Sequence, residues 1–435
     1  MARTVGLFGL TGSELRERSV RRESDAFLTE RRLQLCFAAL LLLRLLYPFF
    51  NSPLDHLFSD PQRHWQNGAN FLHPTIMGAA DPRLFQVWMF VVRSLSHDDG
   101  PTVLLACGIL CAGMPYGWYR ALRELQPRRR ALGCAIVIGL IPESISVYGF
   151  FMNETLLITL IGFCFWLTLR ARRKKTVAAF ALATLLWLCA ALTRTVAVPL
   201  AAACLAWLWL TQAQRFTKFL IGAGITCLLI IPAGLHGQDK LHFFAPFGNL
   251  YFNEIYHESG MRDIAVDYGP DGAYRFGSPS FYNATFYPFS SWTTDRSGVA
   301  SIKIDLNQGR AAWIEAKERV RRLRTFPSWR ERLEDVAYLL VGQVWPNSST
   351  GTLMGWLTLW ARWLLVPVLV FVSWGLFTRR YRGDAHLLPL CALGMIAFLL
   401  LQNEGVMEAR FREPLDAIVV CAALLVSSRR SGTAA

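Results

Sequence analysis

"LQLCFAALLLLRLLYPFF", residues 33–50, carries a single charge, Arg44. Crossing a bilayer as a helix takes about 20 predominantly apolar residues, so a run of this kind reads as a membrane span. Working outward, comparable runs occur near 101–119, 131–149, 153–170, 176–192, 196–212, 217–235, 355–378, 386–402 and 413–428. Of the 435 residues, 53% are hydrophobic and only 17% charged, a balance far from that of a soluble domain. The sequence therefore predicts an all-α integral membrane protein with about ten transmembrane helices, interfacial helices and a small irregular outer-face region.

The net charge of +14 does not point to nucleic acid. The basic residues sit in short runs between apolar segments, "RRESDAFLTERR", "RELQPRRR", "RARRKK", "RRYR" and a late "RR", as cytoplasmic anchors do under the positive-inside rule. Placing these runs inside predicts a cytoplasmic N-terminal segment at 1–32 and an N-terminal transmembrane module at 33–235 with its first outer loop at 51–100. An outer-face, periplasmic region follows at 236–354, then C-terminal transmembrane helices at 355–428 and a cytoplasmic tail at 429–435. The first 32 residues are polar and Arg-rich without an early hydrophobic core, so no cleaved signal peptide is expected. All ten cysteines fall within apolar segments, which argues against disulfides and against a Cys-based metal site outside the membrane.

Within the outer segments, "LFQVWMFVVRSLS" (84–96) follows Asp81-Pro82 and is too short to cross; it predicts an amphipathic helix lying in the interface. "AAWIEAKERVRRLRTFPSWRERLEDVAYLLVGQVW" (311–345) has helical periodicity interrupted at Pro327, predicting two outer helices. Ahead of it, "FGNLYFNEIYHESG" and "DYGPDGAYRFGSPSFYNATFYPFSSW" combine aromatics with Gly and Pro. They predict an irregular cap whose grooves suit sugar rings or lipid headgroups, or a plug resting on the membrane.

Ionisable residues inside the spans include Arg44, Glu143 and Arg362, with Glu154 and Arg194 at span ends. Arg44 is expected to brace the outer loop. All but Arg44 and Arg362 gather toward the outer ends, unlike an ion relay spread through the bilayer. Just beyond the first span, "NSPLDHLFSDPQRHWQNG" (51–68) crowds carboxylates, an arginine, histidines and a tryptophan. Chemistry at that surface calls for an activated donor arriving in the lipid phase. A polyprenyl-phosphate sugar meets that need, with a carboxylate to take the acceptor's proton and arginines to offset the departing phosphate.

The stretch "RLLYPFFNSPLDHLFSDPQRHW" resembles the start of GT-C glycosyltransferases. "PESISVYGFFMNETLLITL" (142–160) looks like their third-to-fourth span junction, and "ALTRTVAVPL" (191–200) resembles their arginine-containing turn. "EARFREPLDAIVV" (408–420) is similar to the late-span entry of polyprenyl-phosphate-sugar users, including bacterial aminoarabinose and protein mannosyl transferases. The resemblance implies a glycosyltransferase of the inner (cytoplasmic) membrane, its site facing the periplasm or exterior. It would move a hexosyl or pentosyl unit to a lipid, glycan or protein acceptor. Asp60 then matches the catalytic base and Glu154 the second acidic position, while Arg194 and Arg412 match residues near the donor phosphate. Arg63, His64 and Arg410 join them as substrate-binding candidates. Asp-Pro stands where many members have Asp-Glu or Asp-x-Asp, so no metal site is implied and divalent-cation dependence stays open; no other cofactor follows.

Simpler roles exist for each. Asp60 could cap a turn beginning at Pro61, with Asp55 as the alternative base. Arg63 and His64 could be interface side chains and Trp65 an interfacial anchor. Arg194 could snorkel to headgroups, and Glu143 and Glu154 could pair structurally with arginines. A transporter or flippase of a lipid-linked saccharide is the rival function, and a membrane scaffold a third.

Overall fold

The computed structural model describes residues 12–241, 244–247, 263–268, 274–276, 300–308, 339–341, 353–401 and 412–426, with single helical positions at 311, 315 and 318. The first helix, α1 (Gly12–Phe50), is apolar from Leu33 onward apart from Gln34 and Arg44. A 3-10 turn at Pro53–His56 leads into α2 (Ser59–Ala69), α3 (Ile76–Ala80) and α4 (Arg83–Ser96). These short helices build the first loop. Asp99 then caps α5 (Gly100–Leu125), its carboxylate accepting from the Thr102 amide at 3.1 Å, one of the orphan donors at a helix start.

Next come α6 (Arg128–Gly139) and the single turn α7 (Glu143–Ser146), continued as a 3-10 turn to Gly149. The sequence predicts one straight span over 131–149; the chain instead bends by 73° between these pieces. Pro142 is the reason. Its ring cannot sit in a helix interior, and it pushes the preceding residue out of the helical region. The bend delivers Glu143 to the first position of α7.

The bundle continues with α8 (Asn153–Lys174), α9 (Val177–Thr193), α10 (Ala197–Leu210) and α11 (Arg215–Leu235), then a turn, α12 (Gln238–Leu241). Further along the chain come α13 (Leu353–Phe377), α14 (Leu387–Leu401) and α15 (Glu413–Leu424). Helices α5 and α8 touch backbone to backbone. A Cβ on Gly162 would stand 2.8 Å from the Trp118 amide nitrogen, and one on Gly117 3.1 Å from that of Phe163. Small residues at a crossing are how apolar helices pack closely without a hydrophobic drive between them.

Connections alternate between two ends of the bundle. At one end, His56 Nδ1 lies 2.8 Å from the Gly149 carbonyl, and Arg83 donates to the carbonyls of Ala233 and His236, each at 3.1 Å. That end therefore gathers the first loop, the α7–α8 junction and the end of α11. At the other end, Arg172 donates to the Thr211 carbonyl at 3.1 Å and stands 3.7 Å from Asp384, while Arg173 pairs with Glu124 at 2.7 Å.

Five helices are long and apolar enough to cross a membrane, six if the bent pair counts as one span; α9 and α10 are shorter apolar helices, as is the segment Gly383–Leu399 at the start of α14. On α11 and α13, Phe216, Phe219, Leu228, Trp360, Leu364 and Phe377 are all more than half exposed, which water would penalise and lipid would not. These features fit a multi-pass membrane protein. About ten spans is thus more than length and apolarity establish.

Outside the helices, the described parts of 236–354 hold a three-stranded antiparallel sheet in the order β2-β1-β3: β1 (Asp263–Tyr268), β2 (Tyr274–Phe276) and β3 (Ala300–Asp305). Val266 pairs with Phe276 on one side and Ile302 on the other. The expected irregular cap is thus ordered where it is described. Most of 311–345, where two outer helices are expected, lies outside the described residues.

Candidate functional site

Two polar clusters lie at the end of the bundle that carries the first loop. In the first, α2 presents Asp60, Arg63, His64 and Asn67 at helical spacing toward Asp81, just before α4. Arg63 Nε donates to Asp81 Oδ2 at 2.9 Å, and Asn67 Nδ2 donates to the same oxygen at 2.7 Å. His64 Nδ1 stands 3.4 Å from it, and the other face of the Arg63 guanidinium pairs with Asp60. Arg63 therefore joins two carboxylates of unequal access: 19% of the Asp60 side chain is exposed against 4% for Asp81.

Burial raises the Asp81 carboxyl, but the charges of Arg63 and His64 outweigh it and hold the group well below the usual carboxylate range. For Arg63, burial works against the charged form, and the two aspartates overcome it and raise the guanidinium. Arg83, which donates to the carbonyls of Gly78 at 2.9 Å and Asp81 at 2.8 Å, is lowered to about 10 by burial, with Asp81 opposing. Arg83 thus fixes the backbone that presents Asp81.

Asp60 is not the cap of its helix. The N-cap is Phe58, and α2 begins at Ser59 rather than Pro61, so Asp60 occupies the first turn, where a negative charge suits the helix dipole. Trp65 is not a free interfacial anchor either. It stacks on Phe151 at 4.9 Å and lies under the Arg93 guanidinium at 4.1 Å.

The second cluster is buried among the helices. Glu143 stands 3.7 Å from Arg362 Nη1 and 4.0 Å from Arg412 Nη2. Arg412, at the N-cap of α15, donates from Nε to Asp416 at 2.7 Å and also to the Leu340 carbonyl. Arg362, from the middle of α13, donates to the Leu339 carbonyl at 2.9 Å. Glu154, in the first turn of α8, pairs with Arg194, the C-cap of α9. Arg44 does not brace the outer loop. It is buried between helices, donating to the carbonyls of Cys111 at 2.7 Å, Gly139 at 2.8 Å and Ser144 at 2.5 Å. It thereby fastens the bend that carries Glu143.

The clusters share one strap. Residues 149–151 lie between the Glu143 turn and Glu154, and the first loop rests on them: the His56 ring packs at a tilt against Phe150 at 4.8 Å, and Trp65 stacks on Phe151. The structure thus brings Asp60, Arg63 and His64 into one group, and Glu154, Arg194 and Arg412 to the same end of the helices. Arg410 lies outside the described residues, and Asp55 occupies the 3-10 turn. Sequence reasoning missed Asp81 and Asp416 as partners, and set Glu143 and Arg362 aside from the site. Pro142 and the acid-rich start of α15 were the available signals. Among the described residues, no three His, Cys, Asp or Glu side chains group closely enough to hold a metal ion.

Several long apolar helices packed around buried, mutually paired charges fit one class, a multi-pass membrane protein. Comparison with protein-family models and with curated proteins returned no match to the chain.

Proposed function

We propose that the chain is a GT-C-type glycosyltransferase moving a monosaccharide from a polyprenyl-phosphate donor to an acceptor at the outer face of the cytoplasmic membrane. In this reading α9, α10, α14 and α15 complete about ten crossings, and the end bearing the first loop faces the periplasm or exterior. One observation carries it: a partly exposed aspartate, held by a shared arginine, sits on a loop packed against the junction between Glu143 and Glu154.

The acceptor hydroxyl gives its proton to Asp60 while its oxygen attacks the anomeric carbon from the face opposite the phosphate. The bond from that carbon to the phosphate oxygen breaks, and polyprenyl phosphate leaves with the configuration inverted. Arg63, retained by Asp81, keeps the Asp60 carboxylate in place before transfer. The departing phosphate would compete with Glu154 for Arg194 and with Asp416 for Arg412. Arg410 and His64 are kept as substrate-binding residues on the strength of the sequence pattern.

A flippase of lipid-linked saccharides is the second reading. Arg362 favours it, being a buried charge from the middle of a long apolar helix, where transporters keep their charges. Purified protein incubated with radiolabelled polyprenyl-phosphate sugars separates the two. Transfer or hydrolysis of the sugar supports the enzyme; movement of intact lipid between leaflets without either supports the flippase.

A further inference from the structure

At the opposite end of the bundle, two arginines flank one indole. The Arg120 guanidinium, on α5, lies 4.2 Å from the Trp166 ring centre, and that of Arg170, on α8, lies 5.5 Å from it. The backbone contact at Gly117 and Gly162 sets these faces side by side. Tyr116 extends the strip, 37% exposed, with its hydroxyl accepting from Arg120 at 3.1 Å and its ring 6.2 Å from Phe163.

Neighbouring arginines at this end are answered by carboxylates: Arg172 by Asp384, Arg173 by Glu124 and Arg128 by Glu30. Arg120 and Arg170 have no carboxylate within ion-pair distance among the described residues. Two like charges beside one ring, in a groove between apolar helices, repel each other until an anion joins them. From Glu154 to Arg170 is about 24 Å along α8 at 1.5 Å per residue, so this groove is separate from the clusters described above.

We infer that the groove of Tyr116, Arg120, Trp166 and Arg170 binds the phosphate of an anionic phospholipid headgroup. The two guanidiniums take the phosphate oxygens, and the exposed apolar faces of α5 above it, Leu105 and Ile109 among them, run alongside the acyl chains. Basic pockets between membrane helices favour such headgroups by charge and by donor geometry.

The test follows thermal unfolding of the full chain in an uncharged detergent during titration with phosphatidylglycerol, phosphatidylcholine or inorganic phosphate. Phosphatidylglycerol is expected to raise the unfolding temperature at lower concentration than phosphatidylcholine does. In R120Q/R170Q the half-effect concentration of phosphatidylglycerol should rise about 30-fold, and in each single variant about 5-fold, from roughly one unit of headgroup attraction per cation. The single variants carry the test if the double variant does not fold. R129Q/R130Q, which removes two exposed charges from the same end, should change it less than about 2-fold. Equal losses in the two double variants would make the effect a diffuse property of the basic end and overturn the site. So would indifference of the native chain to phosphatidylglycerol, or full reproduction of its effect by inorganic phosphate.

Discussion

At the scale of single residues, Asp60 and Asp81 share one arginine and divide the work between them. Asp60→Asn leaves Arg63 held by Asp81, and a partly exposed ion pair contributes only about 0–1 kcal/mol. Stability should therefore stay nearly unchanged while transfer falls by about 10²–10⁴-fold, the usual contribution of a general base. Full turnover by that variant at normal protein levels would remove Asp60 from the mechanism. Asp81→Asn should do the reverse to stability, lowering it by about 1–3 kcal/mol, because Arg63 and the buried Asn67 amide lose their shared carboxylate oxygen. Since Asp81 titrates below its unfolded value, about 3.9, its contribution is complete above that pH and is lost as pH falls toward the lower folded value. The native chain should thus lose more thermal stability between pH 6 and pH 3 than Asp81→Asn does; equal losses would refute the assignment. Asp60, Arg63 and His64 were legible in the sequence because they lie within one turn or so of a single helix. Asp81 was not, since its partners are 14–18 residues away and only the packing of α2 on α4 joins them.

Among the elements, the long apolar helices were legible from length and composition, and α8, α11 and α13 begin and end within four residues of where the runs predict. The bend between α6 and α7 was missed because hydropathy continues through "IGLIPESISVYGF" and outvoted Pro142. The sheet was missed because aromatic and Gly/Pro content reads as irregular. Yet "DIAVDYGPDGAYRF" sets Gly-Pro-Asp-Gly between two alternating runs, which is turn chemistry between strands. Close helix crossings cannot be read from one helix alone, and they make a sharp test. Gly162→Ala puts its Cβ against backbone atoms of α5, which cannot rotate away, and should cost about 1–3 kcal/mol. Gly133→Ala, with nothing within 4 Å of its Cβ, should be neutral or stabilising by up to about 1 kcal/mol. Comparing the two melting temperatures checks the α5–α8 crossing, and equal values would deny it.

For the whole molecule, the two ends of the bundle constrain the topology more tightly than a count of spans does. The first loop contacts the α7–α8 junction through His56 and Trp65, and Arg83 reaches the end of α11 at Ala233 and His236. Those segments must share one side of the membrane. The shorter helices α9 and α10 do not alter this: as two crossings or as one re-entrant pair, they return the chain to the same side. Basic residues dominate the other end, at Arg128–Arg130, Arg170–Lys175 and Arg379–Arg382, and the positive-inside rule predicts a cytoplasmic location for that end. Reporter fusions made after Asp98, Lys174, Ser280 and Tyr381 should therefore report outside, inside, outside and inside. Exchange of all four assignments would invert the protein and move the proposed site to the cytoplasm, where lipid-linked donors are not the only ones available. Opposite sides for Asp98 and Ser280 would be more damaging, because Arg83 could not then reach the end of α11, and the support of Asp81, Arg63 and Asp60 would fall with it.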